Sequence, residues 1–386
     1  MVAPAPYGQR LDAALGALRE HELDALLVST PGNLRYLTGF TGSNGVALLV
    51  AQGARRSRTA PTEQSSGEAG SVFFTDFRYV TQAAAQVAGC YRRWPDSPGV
   101  VQSDLLAAVA EELASLAGSR LGFESDHLTV AGHEHLDELL PPAWELVGAG
   151  GIVERLREVK DAGEVERIAA AAELADDALR RVLEGGLRGR TERAIAFSLD
   201  SAMRDLGAES ESFATIVASG QHGALPHATP REVEVGHGML VTIDWGARLD
   251  GYCSDCTRTF ASGDPGARAR EVYELVLRAQ EEALAGLHPG VTGAEADALA
   301  RNVIEAAGHG EHFGHGLGHG VGLEVHEGPR LSRTGGERTL REGVVVTVEP
   351  GVYLPGELGV RIEDLVVLGA QGNRNLSSLP KALTEL

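Results

Sequence analysis

Five residues able to ligate a metal ion lie in the C-terminal half of the chain in the order Asp244, Asp255, His319, Glu349, Glu363, each in a β-rich or glycine-rich stretch. Four carboxylates brought onto one imidazole in a partly dry pocket would repel one another by several kcal/mol unless cations compensate them. Two divalent ions would cancel the four charges.

The spacing around these residues says how the chain could gather them. Asp244 lies in Leu240-Val-Thr-Ile-Asp-Trp-Gly and Asp255 in Tyr252-Cys-Ser-Asp-Cys-Thr-Arg-Thr-Phe, with Asp250-Gly251 as the turn signal between two strands. A four-residue loop over 248–251 sets Asp244 opposite Asp255, whereas a two-residue Asp-Gly loop pairs it with Thr257. Both registers leave the two aspartates on one face, because the side-chain period of a strand is two. The competing reading is a solvated hairpin with two surface aspartates. Val344-Val-Val-Thr-Val-Glu349 repeats the device: an apolar strand ends in a carboxylate, Pro350-Gly351 breaks it, and Val360-Arg-Ile-Glu363 returns. Adjacent buried glutamates are poor structural choices unless something neutralises them, and Arg361 could do so for one.

Between the hairpins runs Phe313-Gly-His-Gly-Leu-Gly-His-Gly-Val-Gly-Leu-Glu-Val-His326-Glu. Alternate glycines from Gly314 to Gly322 oppose a helix, so this segment is expected to be extended and closely approached by other groups. It does not fit the phosphate-binding GxGxxG pattern. His315, His319 and His326 so close together point to ligand or acid–base roles. Cys253-x-x-Cys256 does not support a zinc or redox site: on a strand the two thiols face opposite sides, and Cys90 is the only other cysteine.

The elements that must position these residues follow from periodicity. Leu11, Leu15 and Leu18 mark a helix over 7–20, followed by strands at 23–28, 45–50 and 71–75, a helix over 103–117 and strands near 121 and 144. Ala51 to Gly70, polar and holding Arg55, Arg56 and Arg58, reads as a mobile hairpin excursion. This makes an α/β domain over 1–151. A charged, alanine-rich helical stretch from Ile152 to Leu187 opens a second domain, 152–386. There, helices at about 191–206, 266–286 and 293–307 alternate with strands at 212–219, 239–247, 252–260, 343–349 and 359–368, the pattern of an antiparallel α+β sheet backed by helices.

Composition limits the function classes. A chain of 386 residues fits about two to three domains and can bury real cores, and its three cysteines are too few for a disulfide framework. No run approaches the roughly 18 apolar residues of a membrane span, and the start lacks a signal-peptide pattern, so a soluble cytoplasmic protein is expected. The formal charge of −20 opposes nucleic acid and anionic membranes.

These residues coincide with a known pattern. The five candidate ligands in this order, the glycine–histidine segment and Glu349-Pro-Gly-Val-Tyr353 resemble the dinuclear metallopeptidases of the pita-bread fold: aminopeptidase P, prolidase and methionine aminopeptidase. Asn33-Leu-Arg-Tyr-Leu-Thr-Gly-Phe-Thr-Gly-Ser-Asn-Gly and Thr75-Asp-Phe-Arg-Tyr79 resemble the creatinase-type amino-terminal domain, which methionine aminopeptidases usually lack. The resemblance implies a creatinase-type α/β domain followed by a pita-bread catalytic domain, and two divalent metal ions. Oxygen-rich ligation favours Mn²⁺, with Co²⁺, Fe²⁺ or Zn²⁺ also able to fill such sites. It implies that Asp244 is a bidentate ligand of one metal, that Asp255 and Glu363 bridge, and that His319 and Glu349 bind the other. Glu349 would also be the general base on a bridging water. His227, in Leu225-Pro-His-Ala, and His326 would stabilise the reacting carbonyl and contact substrate, with His315, Tyr353 and Arg361 supporting the ligands. A homodimer is implied as well.

Within the family, the ligands do not separate aminopeptidase P from prolidase. The amino-terminal motifs look more like small bacterial aminopeptidase P, and Arg361, two residues before Glu363, is needed by the carboxylates. The expectation is therefore release of the first residue from peptides with proline in second position, with a dipeptide-only prolidase as the alternative. A non-catalytic pita-bread interaction protein is a remote one, and metal-free creatinase chemistry is opposed by the intact ligand set.

Overall fold

The structure is a computed structural model that describes residues 5–51, 53–54, 70–94 and 104–386. Apart from its flanks, the excursion expected at 51–70 lies outside the described residues. The chain divides into two compact units, Pro4–Arg157 and Glu158–Leu386.

In the first unit the elements are α1 (Tyr7–Glu20), β1 (Ala25–Val28), α2 (Pro31–Thr38), β2 (Gly45–Val50), β3 (Val72–Thr75), α3 (Val80–Gln86), β4 (Arg92–Trp94), α4 (Leu105–Leu113), β5 (Arg120–Phe123), α5 (Val130–Leu139), β6 (Glu145–Gly148) and α6 (Ile152–Arg157). The strands form one sheet in the order β4-β3-β2-β1-β5-β6. Its central strand β1 is antiparallel to β2 and parallel to β5. Near-continuous apolar runs suit strands covered on both faces, and Leu27, Leu48, Phe74, Val109 and Leu113 share its core. The short α6 belongs to this unit, whereas the expected boundary after residue 151 placed it in the second.

The second unit continues with α7 (Ala162–Glu184), α8 (Glu192–Asp205), β7 (Ser210–Glu211), β8 (Ile216–Ser219), β9 (Met239–Trp245), β10 (Ala247–Leu249), β11 (Tyr252–Cys253), β12 (Cys256–Ser262), α9 (Ala267–Gly286), α10 (Gly293–Ala306), β13 (Gly318–Gly320), β14 (Glu327–Leu331), β15 (Val345–Val348), β16 (Gly351–Leu354), β17 (Leu358–Arg361), β18 (Asp364–Gly369) and β19 (Gly372–Asn375). Capping boxes start α7, at Asp161 with Glu164, and α10, at Thr292 with Glu295, satisfying helix N–H groups that would otherwise lack partners. Two helix pairs each back an antiparallel sheet. Residues of α7 and α8 share a core with β9 and β12 through Leu179, Leu199, Ile243 and Trp245. Those of α9 and α10 share one with β15 to β18 through Val276, Ile304, Val346 and Val360. Among the described residues no helix is long and apolar enough to cross a membrane.

Two local features decide where the chemistry-bearing side chains go. Asp250 and Gly251 both have positive φ, 48° and 77°, as a two-residue type I′ hairpin turn requires. Leu249 therefore pairs with Tyr252, and the same register carries down the ladder to Asp244 opposite Thr257. The four-residue alternative does not occur. In the glycine–histidine segment the backbone is extended through β13, with close approaches on successive glycines. A Cβ on Gly318 would collide with the Thr347 carbonyl, and one on Gly320 with the Gly328 carbonyl.

Candidate metal centre

Asp244 lies next to the end of β9 and Asp255 precedes β12 on the antiparallel partner, displaced diagonally by the two-residue turn. Glu363 sits between β17 and β18, tied to the same strand: its N–H donates to the Thr257 carbonyl at 3.1 Å, and Thr257 Oγ1 donates to its Oε2 at 2.6 Å. One carboxylate oxygen from each of Asp244, Asp255 and Glu363 falls within 4.8 Å of the others. All three are buried. His319 brings in the rest, with Nε2 at 3.6 Å from Asp255 Oδ2 and 3.3 Å from Glu349 Oε1. Its Nδ1 lies 3.1 Å from the Gly320 carbonyl. If Nδ1 carries the proton and donates there, the Nε2 lone pair faces the carboxylates, as a metal ligand needs.

The electrostatics are those of an uncompensated cluster. Burial, then Glu363, Asp244 and Glu349, push the Asp255 carboxyl well above its ordinary range. Burial, then Glu349 and Asp244, do the same to Glu363. Glu349 is raised mainly by burial. Arg361 relieves only part of this. It donates from Nη2 to Asp244 Oδ2 at 2.6 Å, from Nε to Thr257 Oγ1 at 3.0 Å, and from Nη1 to Tyr353 Oη at 2.9 Å and to the Pro226 carbonyl at 3.2 Å. Burial opposes its charge, and Tyr353, Asp244 and the two glutamates together outweigh that and keep it ionised. Asp244 Oδ1 and Glu363 Oε1 nonetheless remain buried without a hydrogen-bond partner. Unpartnered buried carboxylate oxygens cost free energy in an apolar interior. Hard divalent cations are the species such oxygens fit, and the donor set of four carboxylates and one imidazole fits them too.

The histidines divide by depth. His315 packs inside, its Nε2 2.9 Å from Tyr353 Oη, and burial lowers its pKa. His326 and His227 are exposed at the wall. The rings of His326 and His319 meet edge to face at 4.4 Å, and burial, then His319, lower the pKa of His326. A cavity of about 460 Å³ is lined by all five candidate ligands, by His227, His315, His326 and Arg361, and by an apolar wall of Phe213, Ile216, Pro226 and Pro230. Cys253 and Cys256 are both free and buried, and burial raises both thiols, so neither is poised as a thiolate ligand.

Every residue singled out from the sequence thus lies at this one cavity or directly behind it. Three supporting residues were missed. Thr257 and Thr347 hold Glu363 and Glu349 by their hydroxyls, at 2.6 and 2.9 Å. Their signal was available, since Thr257 faces Asp244 across the turn and Thr347 stands two residues before Glu349 on one strand face. The third is Arg330, directly opposite His319 in the β13–β14 ladder and exposed. Directly opposed residues share a face with Cβ atoms roughly 5 Å apart. Among the described residues Arg330 carries no ion pair, and Arg361 is the arginine that lines the cavity itself.

Residues 166–370 match the model of metallopeptidase family M24, and residues 10–159 match that of the Creatinase/Prolidase N-terminal domain. The Xaa-Pro dipeptidase of Pyrococcus furiosus is 43% identical over 375 residues, covering 97% of this chain and 99% of that protein. A solved Xaa-Pro dipeptidase from Bacillus anthracis superposes with a TM-score of 0.89 at 38% identity, over 98% of this chain and 100% of that one. The X-Pro aminopeptidase structure from Thermotoga maritima gives 0.83 at 35% identity, over 96% and 100%. With both units matched to this extent and the α+β architecture in place, the chain belongs to metallopeptidase family M24 and has its pita-bread fold.

Proposed function

We propose that this metallopeptidase cleaves the bond before proline in Xaa-Pro dipeptides, as a prolidase, with two divalent ions, Mn²⁺ being the best match to the donors. Asp244, Asp255, His319, Glu349 and Glu363 would hold the ions. The two orphaned carboxylate oxygens are the observation that carries this reading. When bound, such a pair supplies Lewis acidity and water activation at neutral pH.

The chain's own residues supply the rest. Glu349, fixed by the Thr347 hydroxyl and facing His319, is the carboxylate best placed to take a proton and pass it on. His326, and His227 across the cavity, can donate N–H groups to a carbonyl oxygen as charge develops on it. Because a proline amide nitrogen lacks an N–H, selection must rest on shape, and the wall of Phe213, Ile216, Pro226 and Pro230 suits an apolar ring.

Arg330 tips the choice toward dipeptides. A dipeptide-only enzyme needs a cation for the proline carboxylate, and this unpaired guanidinium stands beside His319. Its charge is among the influences, after burial, that hold His319 and His326 neutral. The names of the P. furiosus and B. anthracis relatives favour the same reading. The likeness to the T. maritima enzyme supports the second reading, an Xaa-Pro aminopeptidase acting on longer peptides. Parallel assays on Xaa-Pro and Xaa-Pro-Yaa decide between them. For a prolidase, Arg330→Met raises KM for the dipeptide by about 10–100-fold, the value of a lost charge-assisted hydrogen bond. Tripeptides cleaved faster than dipeptides, with Arg330→Met neutral on both, would establish the aminopeptidase instead. A homodimer is proposed on the family resemblance alone, and light scattering giving one chain mass at micromolar concentration would refute it.

A further inference from the structure

The glycine–histidine segment has little conformational preference of its own. Glycine loses more backbone freedom on ordering than any other residue. Something must hold it. On α10, Asp297 and Arg301 form a buried ion pair one helical turn apart, Nε to Oδ2 at 2.5 Å and Nη2 to Oδ1 at 2.9 Å. Spacing of i and i+4 on a helix usually marks a solvated surface pair. Here both side chains point into the protein and spend their remaining valences on one short stretch of backbone. Arg301 donates to the Phe313 carbonyl at 2.8 Å and to the His315 carbonyl at 2.7 Å, while its guanidinium stacks 4.1 Å over the Phe313 ring. Asp297 Oδ1 accepts the Leu317 N–H at 2.9 Å.

The Leu317 peptide is the pivot. Its carbonyl accepts the N–H of Glu349 at 2.8 Å, so this one residue is gripped by α10 on one side and by a candidate ligand on the other. Two residues on, the His319 N–H donates to Thr347 Oγ1 at 3.0 Å, and that hydroxyl donates to Glu349 Oε1. Neighbouring glycines leave no room for slippage: a Cβ at Gly316 would collide with the Leu331 carbonyl. The chain of contacts from α10 thus ends on His319 and Glu349 together.

We propose that Asp297 and Arg301 are positioning residues that fix the mutual placement of His319 and Glu349 through the backbone of 313–317. A buried ion pair is a poor source of stability compared with apolar packing. This one holds three backbone groups whose register sets two ligands. Groups behind metal ligands commonly govern affinity by about 10–100-fold.

The inference rests on the metal-centre reading, and the test separates the two. Mn²⁺ is titrated calorimetrically into the chelator-stripped full chain, and kcat and KM are measured on an Xaa-Pro peptide. Wild type is expected to take up two ions. Arg301→Met should fold yet bind at least one ion about 10-fold or more weakly, with kcat falling more than KM rises. Arg301→Lys, which can still reach a carbonyl, should recover part of both. Ile304→Ala, a buried packing change on the same helix, should lower thermal stability and leave Mn²⁺ affinity unchanged. If wild type takes up no Mn²⁺, both readings fall. If Arg301→Met and Asp297→Asn bind two ions as tightly as wild type, or if Ile304→Ala weakens Mn²⁺ equally, the positioning role is wrong and the metal centre stands.

Discussion

Each unit buries a carboxylate at the centre of a polar network, and the two networks are opposites. In the first unit Glu124 is saturated. Its Oε2 accepts the Ser29 and Thr30 N–H groups, each at 2.6 Å, and both hydroxyls, at 3.2 and 2.9 Å, while Oε1 accepts Asn33 Nδ2 at 2.6 Å. In the second unit Glu363 has one hydroxyl on Oε2 and nothing on Oε1, with Asp244 and Asp255 beside it. Donors that fully satisfy a buried carboxylate tie strands and loops together. Carboxylates left short of donors and crowded by like charges are an arrangement that only an added cation makes favourable. The contrast separates a structural hub from a binding site without any motif.

The largest effect should come from removing a candidate ligand carboxylate. Asp255→Asn is expected to retain fewer than two ions per chain by elemental analysis. It should also lose about 10³-fold or more in kcat/KM, as happens when residues acting as a unit lose one member. Two tightly held ions in that variant would mean that Asp255 is not a ligand.

Stability should answer with opposite signs in the two units. Glu124→Gln must turn an amide donor toward Asn33 or toward Ser29 and Thr30, and it should cost about 1–3 kcal/mol. Glu363→Gln can keep its oxygen on Thr257 and aim its amide at the neighbouring aspartates. In chelator-treated protein it should therefore be neutral or raise the melting temperature, and it should lose the stabilisation that added Mn²⁺ gives wild type. A Glu363→Gln chain less stable than wild type with chelator present would make that residue a second structural hub.

Much of this contrast was legible before the fold. Helices α8, α9 and α10 fall within a residue or two of the periodicity, because long amphipathic faces with capping residues at Thr191 and Thr292 leave little choice. Asp250-Gly251 carried its own turn type, and with it the register of Asp244. Arg330 was not legible: its place opposite His319 depends on a shift of register between His319 and Gly320 that no local pattern encodes. The i, i+4 spacing of Asp297 and Arg301 is that of a solvated pair, and only the packing of α10 turns them inward. In the first unit α2 was missed although Pro31 opens it and Gly39, at φ 83°, ends it; eight residues are too few for a visible period. Glu124 gave no signal at all, since its five donors come from residues distant in sequence.

The smallest predicted effect lies in the first unit, at a carboxylate shifted in the opposite direction from Glu363. Asp76 accepts hydrogen bonds from the Arg78 N–H at 2.8 Å, from Arg78 Nη2 at 2.6 Å and from Asn44 Nδ2. The Arg78 hydrogen bond outweighs burial and lowers its pKa from 3.8 to about 2. A carboxylate whose folded pKa is depressed adds stability that is fully present above its unfolded value and is lost as pH falls through the folded one. The window therefore runs from about pH 4 down to about pH 2. A shift of this size converts to about 2.5 kcal/mol at most. Because the Arg78 side chain is 59% exposed, solvent screening should leave about 1 kcal/mol. Asp76→Asn should accordingly be about 1 kcal/mol less stable than wild type at pH 7 in urea titrations, with about half of that gap left near pH 3. A gap that stays constant from pH 7 to pH 3 would assign the loss to hydrogen-bond geometry rather than to charge.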